Sequence, residues 1–245
     1  IYILKNVYLI LLTHKQYSFL YKFIAEITNK LYSKYLNSDY DFHLKRTNAE
    51  LIKVIQIDCG LFARFCDSLL IFLIELPFVI AIILTLIIIE PIGALSASIF
   101  FGIFAFIFYK ITTHRVSYWG ERREQKDIII NKIILESFGG IKEIKCFQSE
   151  EYFINQFNSN INEKATINSY QTTLSLIPRF YFEIVAIIGF SFFVLVLIVL
   201  GKNIALVLGV SAVFFAGFYR LIPSLNRLLT SFQGLKFNQP VINSI

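Results

Sequence analysis

The sequence has 245 residues, of which 56% are hydrophobic, and it carries a formal net charge of +6. Soluble globular domains are typically about 45–50% apolar, so the composition excludes an ordinary soluble enzyme. The positive charge does not indicate nucleic-acid binding, because the basic residues are grouped between long apolar runs. The chain is therefore predicted to be an all-α, polytopic membrane protein without a nucleic-acid partner.

Four apolar runs each approach the ~20 residues that a helix needs to cross the ~30 Å hydrocarbon core of a bilayer. They are residues 71–89, 92–109, 182–200 and 204–218. Pro91 separates the first two runs and residues 201–203 separate the second two, which predicts two tight helical hairpins. Helices are favoured because they satisfy their own backbone groups in lipid, and the runs lack the alternation of a barrel strand.

Most basic residues lie in two long segments, one before the first hairpin and one between the hairpins. Lys202 is the only basic residue in the two outer turns. The positive-inside rule therefore predicts that both segments of this multi-pass protein are cytoplasmic. The expected location is a bacterial inner (plasma) membrane.

Both cytoplasmic segments have the pattern of a helical hairpin. In the first, apolar residues recur at helical spacing over 17–35, turn-forming residues occupy 37–41, and a helical pattern resumes over 49–70. In the second, 110–138 lead outward, 148–157 form a tip, and 160–177 lead back. At 1.5 Å per residue, limbs of ~25–30 residues predict rigid rods that project ~40 Å from the membrane.

The sequence is also expected to be a fragment. It contains no methionine, and residues 1–12 form an apolar run that only Lys5 and Asn6 interrupt. This run is too short and wrongly flanked for a signal peptide, so it is interpreted as the inner end of a membrane helix.

Three stretches carry a family resemblance. They are KLYSKYL at 30–36 with the following residues 40–52, GGIKEIK at 139–145 with residues 150–157, and YRLIPSLNR at 219–227. Together they resemble the transmembrane domain of type 1 ABC exporters, and within that family the branch of lipid-linked oligosaccharide flippases. The second stretch is the most specific of the three, and the resemblance covers nearly the whole chain.

The resemblance implies a partial ABC transmembrane domain over 1–245, lacking the first of six helices and the nucleotide-binding domain. Its implied parts are the inner part of helix 2 (1–36), a first coupling region (37–48), helix 3 (49–90), helix 4 (92–147), a second coupling region (148–158), helix 5 (160–200) and helix 6 (204–245).

In this family the coupling regions dock into ATPase domains. Aromatic side chains flanked by charges suit that role, because the rings can fill a small pocket while the charges fix orientation at its rim. The candidate docking residues are Tyr40, Asp41, Phe42, Lys45, Gln148, Glu150, Glu151, Tyr152 and Phe153. The alternative is an ordinary solvated helix turn at each position.

Ionisable side chains within apolar spans are costly in hydrocarbon and are therefore functional candidates. Glu75, Glu183 and Arg220 are each predicted ~22–27 Å below the outer surface, and Arg179 is four residues from Glu183. One interpretation is a charged ring in the substrate path, with Arg179 and Arg220 as ligands of an anionic head group. The other is a structural role, in which these side chains pair together or reach the inner interface.

The sequence contains no G-x-x-x-x-G-K-[ST] motif, so it is not expected to bind ATP by itself. No catalytic, cofactor-binding or metal-binding residue is predicted. The predicted function is the membrane half of an ATP-driven exporter or flippase for a lipid-like substrate. ATP and Mg would bind in the missing nucleotide-binding domain. A second copy of this chain would complete a homodimer, and membrane lipids would surround it. The alternatives are a transporter or scaffold without ATP coupling, and an inactive partial gene product.

Overall fold

A computed structural model describes residues 2–89, 91–199 and 204–243. Within these ranges the chain forms eight α-helices and no strand, which confirms the predicted all-α class. The helices are α1 (Tyr2–Leu36), α2 (Tyr40–Lys45), α3 (Asn48–Lys53), α4 (Cys59–Ile89), α5 (Pro91–Gly139), α6 (Ile141–Phe147), α7 (Glu150–Val199) and α8 (Ile204–Asn238). A π-helical turn, Val54–Asp58, joins α3 to α4, and a 3-10 turn, Gln239–Asn243, follows α8.

The helices divide between two compact units. Unit 1 comprises Ile1–Asp67, Trp119–Asn168 and Phe237–Ile245. Unit 2 comprises Ser68–Tyr118 and Ser169–Lys236. Helices α4, α5, α7 and α8 each contribute residues to both units.

The core of unit 1 is built on one stripe of α1. Leu20, Ile24, Leu31 and Tyr35 are buried along this helix at spacings of four and seven residues, which place them on one face. They pack with buried residues of α3, the π-turn and α4, namely Leu51, Val54, Cys59 and Ala63. The stripe is the one that the helical periodicity predicts, although Tyr21 and Tyr32 within the same pattern are exposed.

The core of unit 2 is aromatic and aliphatic. Phe182 of α7 is fully buried, and it clusters with Leu86 of α4, Phe108 of α5 and Leu229 of α8. The Tyr181 ring lies against Phe108, with 5.4 Å between ring centroids, and its hydroxyl donates to the Phe104 carbonyl at 3.2 Å. All four long helices of the unit therefore meet in one apolar cluster.

The breaks between helices have local causes. The Thr47 hydroxyl accepts the Glu50 N–H at 3.3 Å and caps α3, as expected of a Thr-x-x-Glu sequence. Gly140 separates α5 from α6, and Gln148 ends α6 in the left-handed conformation, with φ of 50°. Residues 110–180, predicted as helical limbs around a tip, are helical except at Gly140, Gln148 and Ser149. Helix α7 thus begins ten residues earlier than the predicted returning limb.

Three helical stretches of the described residues are long and apolar enough to cross a membrane. They are Asn48–Ile88, Ser98–Gly139 and Glu150–Phe192. They contain all or part of the first three apolar runs that the sequence analysis identified. The fourth run, 204–218, lies on α8, but the side chains of 204–208 and the outer turns at Glu90 and 201–203 lie outside the described residues.

Gly120 marks a close helix contact in unit 1. A Cβ atom there would lie 2.5 Å from the Phe237 carbonyl oxygen, whereas a Cβ at Gly60 of α4 would meet nothing within 4 Å. We expect Gly120→Ala to destabilise the protein by about 1–3 kcal/mol through overpacking. Gly60→Ala should be neutral or stabilising by up to about 1 kcal/mol. Thermal unfolding in detergent measures both, and equal melting temperatures for the two variants would contradict the contact.

Candidate functional site

The first predicted coupling region forms the short helix α2, whose two faces differ. The Phe42 ring packs against Tyr35 of α1, with 5.7 Å between centroids, and Arg46 lies over the same ring at 5.1 Å. His43 Nε2 lies 3.0 Å from the Tyr35 carbonyl oxygen. These contacts fix α2 to the end of α1. Burial raises the pKa of the Tyr35 hydroxyl above its ordinary value.

The opposite face of α2 is apolar and open. Tyr40 is 76% exposed and Leu44 is 66% exposed, and a spacing of four residues places them on the same side of the helix. Asp41 and Lys45 flank them and pair with each other at 3.2 Å, both largely exposed. An exposed pair of this kind contributes little stability. The face therefore combines two apolar side chains with a charged edge.

The second predicted coupling region is the junction of α6 and α7. Phe147, the last residue of α6, is 81% exposed, and Tyr152 in the first turn of α7 is 60% exposed. Lys145 Nζ lies 2.8 Å from Glu150 Oε1 and bridges the break at Gln148. Glu150 and Glu151 in the first turn of α7 also favour that helix end electrostatically. This junction, like α2, presents exposed apolar side chains beside charges.

The predicted docking residues thus have different surroundings. Tyr40, Asp41, Lys45, Glu151 and Tyr152 are exposed. Phe42 packs within unit 1, and Phe153 is half-buried with its ring edge-on to Tyr152 at 5.4 Å. Leu44 and Phe147 are exposed neighbours that the sequence analysis did not select. The four-residue spacing from Tyr40 could have identified Leu44, whereas nothing in the sequence pattern set Phe147 apart.

Glu75, the first of the predicted charged residues, is buried in unit 2 and pairs with Arg227 of α8. Arg227 Nη2 also lies 3.4 Å from the hydroxyl of the fully buried Ser224. Arg227 was not among the predicted charged residues. The two partners are 152 residues apart, a separation at which spacing along the chain carries no information on contact.

Arg220 lies in an open groove between α4 and α8, with its guanidinium 5.4 Å from the Phe78 ring centroid. Two adjoining cavities of about 310 and 520 Å³ share Phe78 and Arg220 in their linings. The smaller cavity is lined mainly by apolar residues of both helices, including Ile82, Leu86 and Val213. The larger one includes Arg220 and Arg227 as its two cations. We call this the α4/α8 groove.

Arg179 and Glu183 form an ion pair at 3.3 Å along α7, as their four-residue spacing suggested. Both side chains are more than half exposed, and neither lines the two cavities of the α4/α8 groove. The four predicted charged residues therefore do not converge on one cluster. Arg220 lines the groove, Glu75 orients Arg227 at its wall, and the Arg179–Glu183 pair lies elsewhere on unit 2.

Comparison with known protein families agrees with this arrangement of helices. The family model for the ABC transporter transmembrane region matches residues 9–222. The match includes all of α2 to α7 and the part of α8 that carries Arg220. The resemblance that the sequence motifs indicated therefore extends over most of the chain. The chain belongs to the ABC transporter transmembrane family, as an exporter-type membrane domain.

Proposed function

We propose that this chain is the membrane half of an ATP-driven exporter or flippase for an anionic amphipathic substrate, in a bacterial plasma membrane. Membrane domains of this family generally pair with nucleotide-binding domains. Such a domain would supply the ATP and Mg site, and a second copy of the chain would complete a homodimer. ATP binding would bring the motor domains together and switch the membrane helices between inward- and outward-facing arrangements.

The observation that supports ATP coupling is the exposed apolar surface at the two helix junctions. Tyr40 and Leu44 of α2, and Phe147 and Tyr152 at the α6–α7 junction, stand beside charges of both signs. Aromatic and aliphatic anchors within a charged rim are the usual composition of a protein-docking site. We assign these four side chains as the anchors that enter the ATPase domains.

Both junctions also make contacts within unit 1 that order them. Phe42 and His43 fix α2 to Tyr35 of α1. The Lys145–Glu150 pair spans the break between α6 and α7. A docking element that is already ordered loses less entropy on binding and passes on more of the partner's movement. Phe42 thus supports docking from behind the contact surface.

The double variant Tyr40→Ser and Leu44→Ser tests this assignment. We expect transport-coupled ATP hydrolysis by the assembled transporter to fall at least about tenfold, because two docking anchors are removed. Tyr32→Ser is the matched control, since Tyr32 is an exposed tyrosine of α1 outside both junctions. Coupled hydrolysis in proteoliposomes is the measurement. Normal coupling in the double variant, with Tyr32→Ser also normal, would contradict the assignment.

The α4/α8 groove supports an anionic amphiphile as the substrate. Its smaller cavity is largely apolar with Arg220 at its wall, and its larger cavity adds the guanidinium group of Arg227. A hydrocarbon chain fits the first environment and a phosphate or carboxylate head group fits the second, because guanidinium binds such anions through paired hydrogen bonds. Since the two environments share Arg220 and Phe78, one molecule could occupy both. A lipid-linked oligosaccharide has this chemistry, which supports placement in the flippase branch.

A further inference from the structure

One turn of α5, residues 123–127, contacts three other parts of unit 1 through charged side chains. We call it the hub turn. Arg123, Glu124, Lys126 and Asp127 belong to it, and each takes part in an ion pair or hydrogen bond to another element. Arg123 and Asp127 are almost completely buried. Charged side chains are seldom buried without a partner. The partners of these residues therefore show which parts of unit 1 the hub turn connects.

Arg123 holds the end of α8. Its Nη1 donates to Asn238 Oδ1 at 3.0 Å, and its guanidinium lies 4.4 Å from the Phe237 ring centroid. One turn earlier on α5, Gly120 lies against the backbone of Phe237. The planar guanidinium makes a hydrogen bond and a cation–π contact together, which a lysine ammonium could not reproduce in the same geometry.

Glu124 reaches the π-turn that leads away from the first junction. Its Oε1 lies 3.4 Å from Lys53 Nζ, and Lys53 Nζ lies 3.1 Å from Asp58 Oδ2. Lys53 and Asp58 are both buried. They are five residues apart, and a regular α-helix would place them on different faces. The π-helical turn, Val54–Asp58, brings them together. The π-turn therefore has a specific consequence, because it completes this buried contact to α5.

Lys126 and Asp127 hold α7, the helix that begins at the second junction. Lys126 Nζ lies 2.5 Å from Glu163 Oε2 and 3.0 Å from Asn160 Oδ1. Lys164 Nζ lies 2.5 Å from Asp127 Oδ1 and forms an ion pair with it. Glu163 and Lys164 are thirteen and fourteen residues after the start of α7. The hub turn thus connects the elements behind both junctions.

We infer that the hub turn makes both junctions and the end of α8 move as one body when the ATPase domains move. Lys126, Asp127 and Arg123 are then positioning residues of energy coupling, an inference that rests on the proposed function. Burial of the Asp127 charge is offset only when the geometry of its ion pair with Lys164 is good. That property suits a connection that must pass on displacement without repacking.

The pair Lys126–Glu163 allows the sharpest test. The charge of each residue can be reversed separately, and the two charges can then be exchanged in a double variant. We expect Lys126→Glu and Glu163→Lys each to lower the number of substrate molecules moved per ATP about tenfold, with basal ATP hydrolysis unchanged. The double variant, in which the charges are exchanged, should restore the ratio. Lys132→Glu is the matched control, since the Lys132–Glu136 pair lies on the same helix with both side chains largely exposed. It should leave the ratio unchanged.

The assembled transporter in proteoliposomes, supplied with a fluorescent anionic lipid analogue, gives both rates in one preparation. An unchanged ratio in the single variants would overturn the inference while leaving the proposed function standing. The inference also fails if the exchanged variant is folded but not restored. Absence of ATP-dependent movement in the unmodified transporter would instead overturn the proposed function, and the coupling role of the hub turn with it.

Discussion

Replacing Arg220 with alanine is expected to weaken binding of an anionic lipid substrate by about ten- to a hundredfold. Arg220 lines both cavities of the α4/α8 groove. A hydrogen bond to a charged group contributes about 1.5–3 kcal/mol, which corresponds to this range. Arg220→Lys should retain part of the affinity, because the charge stays while the paired geometry is lost. The measurement is the substrate concentration that half-stimulates ATP hydrolysis.

Arg179→Ala provides the matched control for this prediction. Arg179 is also an arginine of unit 2, but it pairs with Glu183 and lines neither cavity of the groove. We expect the alanine variant to change the half-stimulating concentration by less than about twofold, as for a typical exposed pair. A larger effect at Arg179 than at Arg220 would place the head group at the α7 pair instead.

Arg227→Met is expected to lower the melting temperature of the protein by about 6–20 °C. It removes the ion-pair partner of Glu75, which is buried and then lacks a compensating charge. Loss of one member of a buried pair costs about 3–5 kcal/mol, and each kcal/mol corresponds to about 2–4 °C in a chain of this size. Thermal unfolding in detergent, followed by tryptophan fluorescence or circular dichroism, measures the change.

Two further variants separate the charge effect from the loss of a long side chain. Glu75→Gln should cost less than Arg227→Met, because Arg227 is more than half exposed and can be solvated when its partner is neutral. The double variant Glu75→Leu and Arg227→Met should recover much of the stability, since apolar side chains can replace a buried pair. If Arg227→Met unfolds at the temperature of the unmodified chain, the pair has no structural role.

The sequence was most informative where the contacts are local. The stripe of α1 from Leu20 to Tyr35 follows from helical periodicity, and the Arg179–Glu183 pair follows from a four-residue spacing. Both features arise within one helix, where the geometry is fixed at 3.6 residues per turn. The turn-forming residues at 37–41 likewise lie where α1 ends, whereas Gly140 interrupts the stretch 92–147 that was predicted as one helix.

Contacts between helices were not predictable from one sequence. Glu75 was identified as costly in an apolar span, but its partner Arg227 belongs to a helix far along the chain. The four charges, for which a ring was one of two interpretations, are divided between the groove and the α7 pair. The buried Lys53–Asp58 contact depends on a π-turn, and no residue pattern in the sequence predicts this turn. Phe42 was predicted to dock outward, and its packing on Tyr35 became evident only from the fold.

We propose that ATP hydrolysis in motor domains docked at the two junctions drives an anionic lipid through the membrane helices. Its most direct test is the ATP-dependent movement of a fluorescent anionic lipid analogue across proteoliposomes that contain the assembled transporter. We expect movement with ATP and Mg that is lost both in Tyr40→Ser/Leu44→Ser and in Arg220→Ala, but retained in Tyr32→Ser. Movement that is equally fast without ATP, or that both of these variants retain in full, would contradict the claim.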